Sequence, residues 1–381
     1  MNRREFVKKL ALGSAFLAAQ KYLSPLERVY ASAGIDSLRR EGMKNWAWVS
    51  TDTKPSIDEW KRRFELWHES GVDSVLLEIY NSTNAFYKNS HLPVKEAWLE
   101  KLLPLAKAEG LEVHSWMWTM PCNIENIVKK HPEWYVVNRK GESASDKPAY
   151  VHYYKFMCPS RPEVQEFIRS TVSELAGYEQ LDGIHLDYIR FPDVILAEAL
   201  QPKYHIVQDK EYPEYDYCYC EVCRNDFLKE TGIDIRKLED PASNSQWRQF
   251  RYNRINNLVN NVIVPAAHSK NKAVTAAVFP NWEMVRQQWP AWNVDGVLPM
   301  IYHGFYNKGI DWIREQTLKG TKSLGGRFPL YSGLFIPQLN PEELAKAVEY
   351  SMEGGAKGVS LFAAQSMSLK HWEVFKKVVK G

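Results

Sequence analysis

Four segments of the chain share one ten-residue alternation of apolar positions with small or polar positions. They are residues 71–80, 180–189, 293–302 and 355–364, and they align without gaps, each after a helix-like stretch. An alternation with a period of two places successive side chains on opposite faces of a β-strand. One face is aliphatic, and the other carries small or functional residues. The aliphatic positions are Val75, Leu77, Ile79, Ile184, Leu186, Val297, Pro299, Val359 and Leu361.

Four more strands fit between these segments, at residues 43–51, 111–120, 272–280 and 328–337. Helix-start signals precede several of the intervening stretches, namely Ser56 with Glu59, Ser160 with Glu163, and Asn340-Pro341 with Glu343. Eight strands that alternate with helices predict a (β/α)8 TIM barrel. A doubly wound open sheet is the alternative, but the count of eight and the lack of a glycine-rich phosphate loop after the first strand favour the barrel.

The fourth predicted strand contains the sequence DGIHLDYIRFP, which places His185 and Asp187 on the same, inward-pointing face. Asp187 occupies the same alignment position as Glu78 on the second strand, so both carboxylates are expected to border one cavity at the barrel mouth. His185 is expected one layer deeper. Because an uncompensated buried charge costs several kcal/mol, the segment predicts a functional site. A structural ion pair between Asp187 and Arg190 is the alternative.

Two connections are much longer than the others, at residues 121–159 after strand three and from residue 193 to about 243 after strand four. Long loops in a compact domain usually form lids or binding surfaces. Both are rich in tyrosine and both adjoin the strand that carries Asp187. They are therefore predicted to form a roof over the cavity.

Aromatic residues are concentrated at the predicted barrel mouth, and flat apolar side chains beside hydrogen-bonding groups suit the faces of sugars. The composition, with 14 tryptophans, supports this interpretation, although many of these residues belong to the core. The predicted substrate-binding residues are His185, Tyr188, Arg190, Trp116, Trp118, Trp282, Tyr302 and His303.

Paired carboxylates at such a mouth suggest hydrolysis of a glycosidic bond, which needs one acid to protonate the leaving oxygen and a second to act as nucleophile or base. Asp187 is the predicted nucleophile or base. The acid is either Glu283, which is slightly favoured because it lies on a loop after strand five, or Glu78. The alternative is a non-catalytic carbohydrate-binding TIM barrel, which would keep the tryptophans but needs no carboxylate pair.

Three stretches resemble a known family: DGIHLDYIRFPD, residues 289–303, and strand three where it runs into the HPEW loop. Nearly the whole chain after residue 33 resembles the bacterial glycosyl-hydrolase-like 10 domain proteins, which implies a (β/α)8 glycoside hydrolase. More remotely, the aspartate that ends strand four is similar to the nucleophile of the alpha-amylase and alpha-galactosidase clans. That likeness implies Asp187 as nucleophile and, as in the alpha-amylase clan, an acid after strand five, which matches Glu283.

The first 33 residues have the order of a twin-arginine export signal: Arg3-Arg4, an apolar stretch over residues 10–19, and Ala31-Ser32-Ala33 as a cleavage site. A frayed amphipathic helix is the alternative. The signal predicts a periplasmic or secreted protein whose catalytic domain spans residues 34–381. Its removal changes the net charge from +3 to about −1, which offers no basic surface for nucleic acid. No later segment is long and apolar enough to span a membrane.

Five cysteines follow the signal, and three of them form the motif CYCEVC at Cys218, Cys220 and Cys223. A closed zinc site needs a fourth ligand, which Cys158 or a histidine could supply. Disulfides are the favoured interpretation, because an exported protein meets an oxidising environment. A catalytic metal would require histidine pairs at strand ends, whereas His114, His185 and His303 lie on separate strands. The sequence therefore predicts neither a metal nor a cofactor.

Overall fold

Eight parallel strands form the centre of the protein in a computed structural model that describes residues 43–381. Hydrogen-bonded neighbours follow the order β6-β5-β4-β3-β2-β1-β8-β7, and bridges from Val297 to Leu330 and from Met300 to Gly333 bring β6 beside β7. The barrel is thus nearly closed, and the predicted TIM-barrel fold is confirmed. The strands are β1 (Trp46–Val49), β2 (Ser74–Tyr80), β3 (Glu112–Trp118), β4 (Gly183–Asp187), β5 (Ala273–Val278), β6 (Gly296–Pro299), β7 (Ser332–Phe335) and β8 (Val359–Phe362).

Helices fill the segments between the strands. They are α1 (Ile57–Glu69), α2 (Trp98–Ala108), α3 (Glu125–Lys130), α4 (Pro162–Ala176), α5 (Glu221–Thr231), α6 (Ser245–Asn257), α7 (Val264–His268), α8 (Trp312–Leu324), α9 (Pro341–Glu353) and α10 (Leu369–Lys380). The predicted capping boxes of α1 and α9 are present, since Ser56 and Asn340 cap the helices and exchange hydrogen bonds with the glutamates three residues later. The cap predicted at Ser160 is wrong, because α4 begins at Pro162 after Arg161.

Apolar side chains form two separate cores, one on each side of the strands. The aliphatic faces of β2, β4, β6 and β8 belong to a large core that also contains helix residues such as Trp60 and Phe64. The opposite faces build a small cluster inside the barrel, comprising Trp46, Trp48, Leu76, Trp116, Ala277, Leu298, Tyr331 and Ala363. The predicted assignment of strand faces is therefore correct, and the functional positions of each strand point inward.

The two long connections contact each other above the barrel mouth. The backbone N–H of Tyr219 donates to the carbonyl of Val137 at 2.7 Å, and that of Arg139 donates to the carbonyl of Asp216 at 3.0 Å. The hydroxyl of Tyr150 donates to the carbonyl of Asp193 at 2.8 Å. These hydrogen bonds join the loop after β3 to the loop after β4, so the two act as one cover.

The disulfides predicted for the cysteines are absent. Cys122, Cys158, Cys218, Cys220 and Cys223 are all buried free thiols. The sulfur of Cys158 lies 3.6 Å from that of Cys220 and 3.5 Å from that of Cys223, whereas a disulfide bond is about 2.05 Å long. The disulfide interpretation is therefore wrong in this structure.

The predicted export signal, residues 1–33, lies outside the described residues. Within residues 43–381, no helix combines the length and the apolar character needed to cross a membrane.

Candidate active site

A cavity of about 390 Å³ opens at the carboxyl ends of the strands, within the size range of small-molecule sites. Every strand contributes to its wall, either directly or through a residue shortly after the strand end, and the loops after β3, β4 and β6 complete it. The lining residues are Trp48, Ser50, Glu78, Trp116, Trp118, Tyr154, Asp187, Tyr188, Arg190, Asp193, Leu196, Ala197, Leu200, Phe279, Met300, Tyr302, Phe305, Tyr306, Phe335 and Phe362.

Asp187 is the last residue of β4, and its side chain lines this cavity. Its carboxylate accepts two hydrogen bonds. The indole N–H of Trp116 donates to Oδ2 at 3.1 Å, and the backbone N–H of Tyr188 donates to Oδ1 at 2.7 Å. Burial raises the pKa of Asp187 to about 6, and the charge of Glu78 adds to the rise, while the hydrogen bonds and the positive charge of Arg190 oppose it. Asp187 therefore titrates within the range useful for acid–base chemistry.

Glu78 lines the same cavity from β2. Its Oε2 accepts from the backbone N–H of Thr51 at 3.0 Å, and its Oε1 accepts from the indole N–H of Trp118 at 3.1 Å. Burial raises the pKa of Glu78 above its ordinary value. Unlike that of Asp187, the pKa of Glu78 is not lowered appreciably by any nearby positive charge.

The two tryptophans of β3 connect the carboxylates of the flanking strands. Trp116 is the ladder neighbour of Glu78 but donates to Asp187, whereas Trp118 is the ladder neighbour of Asp187 but donates to Glu78. The carboxylates are thus offset by two residues over two strands, as expected when eight tilted strands close with a shear of eight. The indoles hold each acid in a fixed orientation toward the cavity.

Arg190 also faces the cavity, but its ion pair is with Asp193. Its Nη1 lies 2.9 Å from Asp193 Oδ2, and both side chains are about 5% exposed. Tyr188 has a positive φ of 51°, a left-handed conformation that is uncommon for a residue with a side chain. The chain turns there, immediately after Asp187. Because Arg190 pairs with Asp193 and not with Asp187, the alternative interpretation of Asp187 and Arg190 as a structural ion pair is wrong.

His185 lies below the cavity, as expected for a residue one layer deeper, and it does not line the wall. Its Nδ1 is 2.9 Å from the hydroxyl of Thr275, which also lies 3.0 Å from Nδ1 of His114. Burial lowers the pKa of His185 well below its ordinary value, so the ring is neutral. A neutral, enclosed ring in this position supports the floor of the site.

The structure places three other predicted site residues outside the cavity wall. Glu283 lies in a short 3-10 turn after β5 and lines a neighbouring pocket of about 150 Å³, which shares Asp193, Leu196, Ala197, Phe279 and Tyr306 with the cavity wall. Trp282, in the same turn, packs its ring against Tyr252. His303 is partly buried beyond the end of β6, next to the wall residue Tyr302.

The remaining predicted residues do converge. Trp116, Trp118, Tyr188, Arg190 and Tyr302 line the cavity together with both carboxylates. The ring of Trp118 packs against that of Tyr188 at 4.5 Å between centroids. Burial raises the pKa of Tyr302 well above its ordinary value, and the charge of Asp187 contributes to this rise.

Several wall residues were not predicted. They include Asp193, only six residues beyond Asp187, and a set of apolar and aromatic residues comprising Leu196, Ala197, Leu200, Phe279, Met300, Phe305, Tyr306, Phe335 and Phe362. The alternation of Met300 and Phe362 with the outward aliphatic positions of their strands was a usable signal. The loop residues gave no such signal, because their approach depends on how the loops fold back.

Buried carboxylates in an aromatic cavity at the carboxyl end of a (β/α)8 barrel define a protein of the glycoside-hydrolase-like TIM-barrel class. The sequence matches the glycosyl hydrolase-like 10 family over residues 66–321, which is most of the chain. The protein therefore belongs to the glycosyl hydrolase-like 10 family, as its strand-four motif predicted. No curated protein matches the chain.

Solved structures with the same fold include several enzymes that act on sugars. The PgaB (BpsB) glycoside hydrolase domain from Bordetella bronchiseptica is 14% identical, with a TM-score of 0.63 over 84% of this chain and 93% of that one. The catalytic domain of beta-amylase from Paenibacillus polymyxa is 11% identical, with a TM-score of 0.61 over 88% and 97%. The beta-galactosidase from Marinomonas ef1 is 11% identical, with a TM-score of 0.62 over 89% and 59%. At these sequence identities, the similarities show a shared fold and nothing more.

Proposed function

We propose that this protein is a glycoside hydrolase in which Asp187 and Glu78 form the catalytic carboxylate pair. The observation that carries the proposal is that both acids are buried in one aromatic cavity, and that within residues 43–381 neither forms an ion pair. Two carboxyl groups that form no ion pair are costly to keep in a protein interior. Glycosidic bond cleavage uses such a pair, with one acid protonated and the other ionised.

Asp187 is proposed as the ionised member, acting as nucleophile or base. The positive charge of Arg190 and two N–H donors favour its carboxylate form. The charge of Glu78 raises the pKa of Asp187, so the two acids do not readily ionise together. Glu78 has no cation comparable to Arg190 among the causes that shift its pKa, and the proton is therefore assigned to Glu78. A protonated Glu78 can donate its proton to the leaving oxygen of the bond being broken.

The rest of the wall is suited to bind a sugar. The rings of Trp118, Tyr188 and Tyr302 offer flat apolar surfaces next to the carboxylates, and such surfaces match the faces of pyranose rings. The proposed substrate is therefore an oligosaccharide or polysaccharide, with one residue held in the cavity. Glu283 is not proposed as the acid, because it does not line the cavity that holds Asp187.

The test is cleavage of carbohydrates by the purified protein. A panel of plant and bacterial polysaccharides is incubated with the wild type and with Asp187→Asn, and the products are identified by mass spectrometry. The wild type is expected to release shorter fragments from at least one polymer. Asp187→Asn is expected to lose turnover and to bind the same polymer with an affinity within about tenfold of the wild type.

A non-catalytic sugar-binding protein is the competing outcome. It would bind a polymer without releasing fragments, and Asp187→Asn would then change only affinity. Fragment release by Asp187→Asn at the wild-type rate would equally contradict the proposed role of the carboxylate.

We also propose that the protein is exported by the twin-arginine route, so that it acts on carbohydrate outside the cytoplasm. The support is the order of charged, apolar and small residues in 1–33. Replacing Arg3 and Arg4 together by lysine is expected to leave the protein in the cytoplasm, as measured by cell fractionation. Unchanged export of that variant would contradict the proposal.

A further inference from the structure

A cluster of four cysteines lies outside the carboxylate cavity, where the two long loops meet. The Sγ atoms of Cys158, Cys218, Cys220 and Cys223 all lie within 4.8 Å of one another. All four side chains are at most 3% exposed. Cys158 comes from the end of the loop after β3, and the other three come from the loop after β4. Cys158 and Cys218 are 60 residues apart in the sequence, so the cluster forms only when the two loops come together in the folded protein.

The spacing of the sulfurs fits a single tetrahedral ion. The Sγ of Cys158 lies 3.5 Å from that of Cys223, 3.6 Å from that of Cys220 and 3.8 Å from that of Cys218. Four thiolates at the usual zinc–sulfur distance of about 2.3 Å place their sulfur atoms roughly 3.8 Å apart. A disulfide requires about 2.05 Å. A cluster of several irons needs its thiolates farther apart, because the inorganic core separates them.

Polar groups around the sulfurs are arranged to stabilise negative charge. The backbone N–H of Val137 donates to Sγ of Cys218 at 3.4 Å, and the hydroxyl of Ser160 lies 3.2 Å from Sγ of Cys223. Cys220 is the N-cap of α5, and Cys223 lies in the first turn of that helix. Hydrogen-bond donors beside the ligands and the amino end of a helix both favour thiolates that bind a metal.

We propose that Cys158, Cys218, Cys220 and Cys223 bind one structural zinc ion. Four protein ligands close the coordination sphere and leave no position for water or substrate, which is the arrangement of structural and not of catalytic zinc sites. The burial of all four sulfurs agrees with this role. The site is distinct from the carboxylate cavity and does not depend on the proposed hydrolase activity.

Zinc at this position would join the two loops that cover the cavity. Tyr154, a wall residue, is four residues before Cys158, and the wall residues from Asp193 to Leu200 belong to the loop that also carries the other three ligands. The backbone contact between Tyr219 and Val137 lies next to the cluster. The ion therefore acts as a crosslink that fixes the roof above the barrel mouth.

The first experiment measures metal and thiols in the wild-type chain, purified without added zinc or reductant. Elemental analysis is expected to give one zinc per chain, and the denatured protein with a chelator present is expected to show five free thiols. Modification of the native protein with a mercurial reagent is expected to release that zinc. Less than 0.1 zinc with one free thiol would indicate two disulfides and overturn the proposal, as would iron in place of zinc.

The second experiment uses cysteine variants of the full chain. Cys220→Ser and Cys223→Ser are each expected to lower the zinc content at least fivefold. Cys122→Ser is the matched control, because Cys122 is equally buried but lies outside the cluster, and it is expected to keep one zinc. Full zinc content in Cys220→Ser would overturn the proposal. If the variants do not fold, the zinc and thiol counts of the wild type still decide it.

Discussion

The two halves of the barrel mouth differ in chemistry. The half built by β1 to β4 carries Glu78, Asp187 and Asp193, together with the indole N–H groups that bind the first two and the long loops that cover them. The half built from β5 to β8 contributes no charged residue to the cavity. Its wall residues are Phe279, Met300, Tyr302, Phe305, Tyr306, Phe335 and Phe362.

This difference separates the two tasks of the proposed site. The apolar half removes water from the cavity and offers surfaces for a sugar ring, and the same removal of water raises the pKa of Asp187 and Glu78 on the other half. The raised pKa values of the two acids therefore depend on the apolar residues opposite them. Changes on the acidic half should affect the rate of the chemical step, and changes on the apolar half should affect binding.

The largest effect is expected from Glu78→Gln, which removes the proposed acid from the acidic half. The value of kcat/KM should fall by about 10²–10⁴-fold, the usual contribution of general acid catalysis. The loss should be smaller for substrates with good leaving groups, because they need less protonation. Steady-state kinetics on a cleaved polymer and on aryl glycosides provide the measurement.

Glu283→Gln is the matched control for that experiment. The same chemical change in the neighbouring pocket should leave kcat/KM within about twofold of the wild type, since Glu283 does not line the cavity that holds Asp187 and Glu78. A large loss in Glu283→Gln together with a small one in Glu78→Gln would reverse the assignment and show that the loop after β5 moves into the cavity.

The next effect concerns stability, because an ionised Asp187 in an apolar surrounding destabilises the folded protein. Its pKa is raised to about 6 in the folded state from an ordinary value of 3.8. The folded state therefore loses stability as pH rises from about 4 to about 6, and the loss is complete above that range. Asp187→Asn should raise the free energy of unfolding by roughly 2–3 kcal/mol at pH 8 and by little at pH 4.

Denaturant unfolding of both proteins at several pH values measures this difference. Asp182→Asn is the control at the opposite end of the same strand, where the carboxylate accepts from the backbone N–H of Val113 and pairs with Lys107. That variant should lower the stability at pH 8. A constant gain for Asp187→Asn from pH 4 to pH 8 would show that titration of Asp187 is not its cause.

Local patterns predicted most of the fold, because strand alternation and helix caps depend on neighbouring residues. The same alternation placed Asp187 and Glu78 correctly on the inner wall, since barrel closure turns every inward face toward one axis. The position of Cys158 beside Cys218 could not be predicted in this way. It depends on two loops that meet only after the barrel has formed.

The position of Glu283 outside the cavity could not be predicted from local sequence patterns. The turn that carries it is fixed by long-range contacts: Arg286 forms ion pairs with Glu211 and Asp216, and the side chain of Gln287 donates to the carbonyls of Ile189 and Ala277. Those partners lie in other loops and strands, so spacing in the sequence carries no information about them. The partner of Arg190 was missed for a related reason, since the positive φ of Tyr188 changes the direction of the chain.

A smaller effect is expected from Trp116→Phe, which removes one N–H donor from Asp187. The proposed base must be ionised, so kcat/KM of the wild type should rise with pH through about 6. Without the donor the carboxylate form is less favoured. The acidic limb of the pH profile, in which kcat/KM rises with pH, should therefore move to higher pH by roughly one unit. Trp48→Phe is the control, because the Trp48 indole donates to Ser360. An acidic limb that shifts equally in both variants would contradict the role of the hydrogen bond.

The smallest effect is expected on the apolar half. Phe305 lines the cavity from the turn after β6, with its ring 5.0 Å from that of Phe335. Phe305→Ala should raise KM about fivefold with kcat nearly unchanged, because a stacked ring contributes about 1 kcal/mol to binding. Phe305→Tyr should keep the wild-type KM, and Phe328→Ala, which lines a pocket beside Gly355 and Lys357 instead, should not change it. A fall in kcat of a hundredfold for Phe305→Ala would mean that the apolar half takes part in the chemical step, and the division between the two halves would then be wrong.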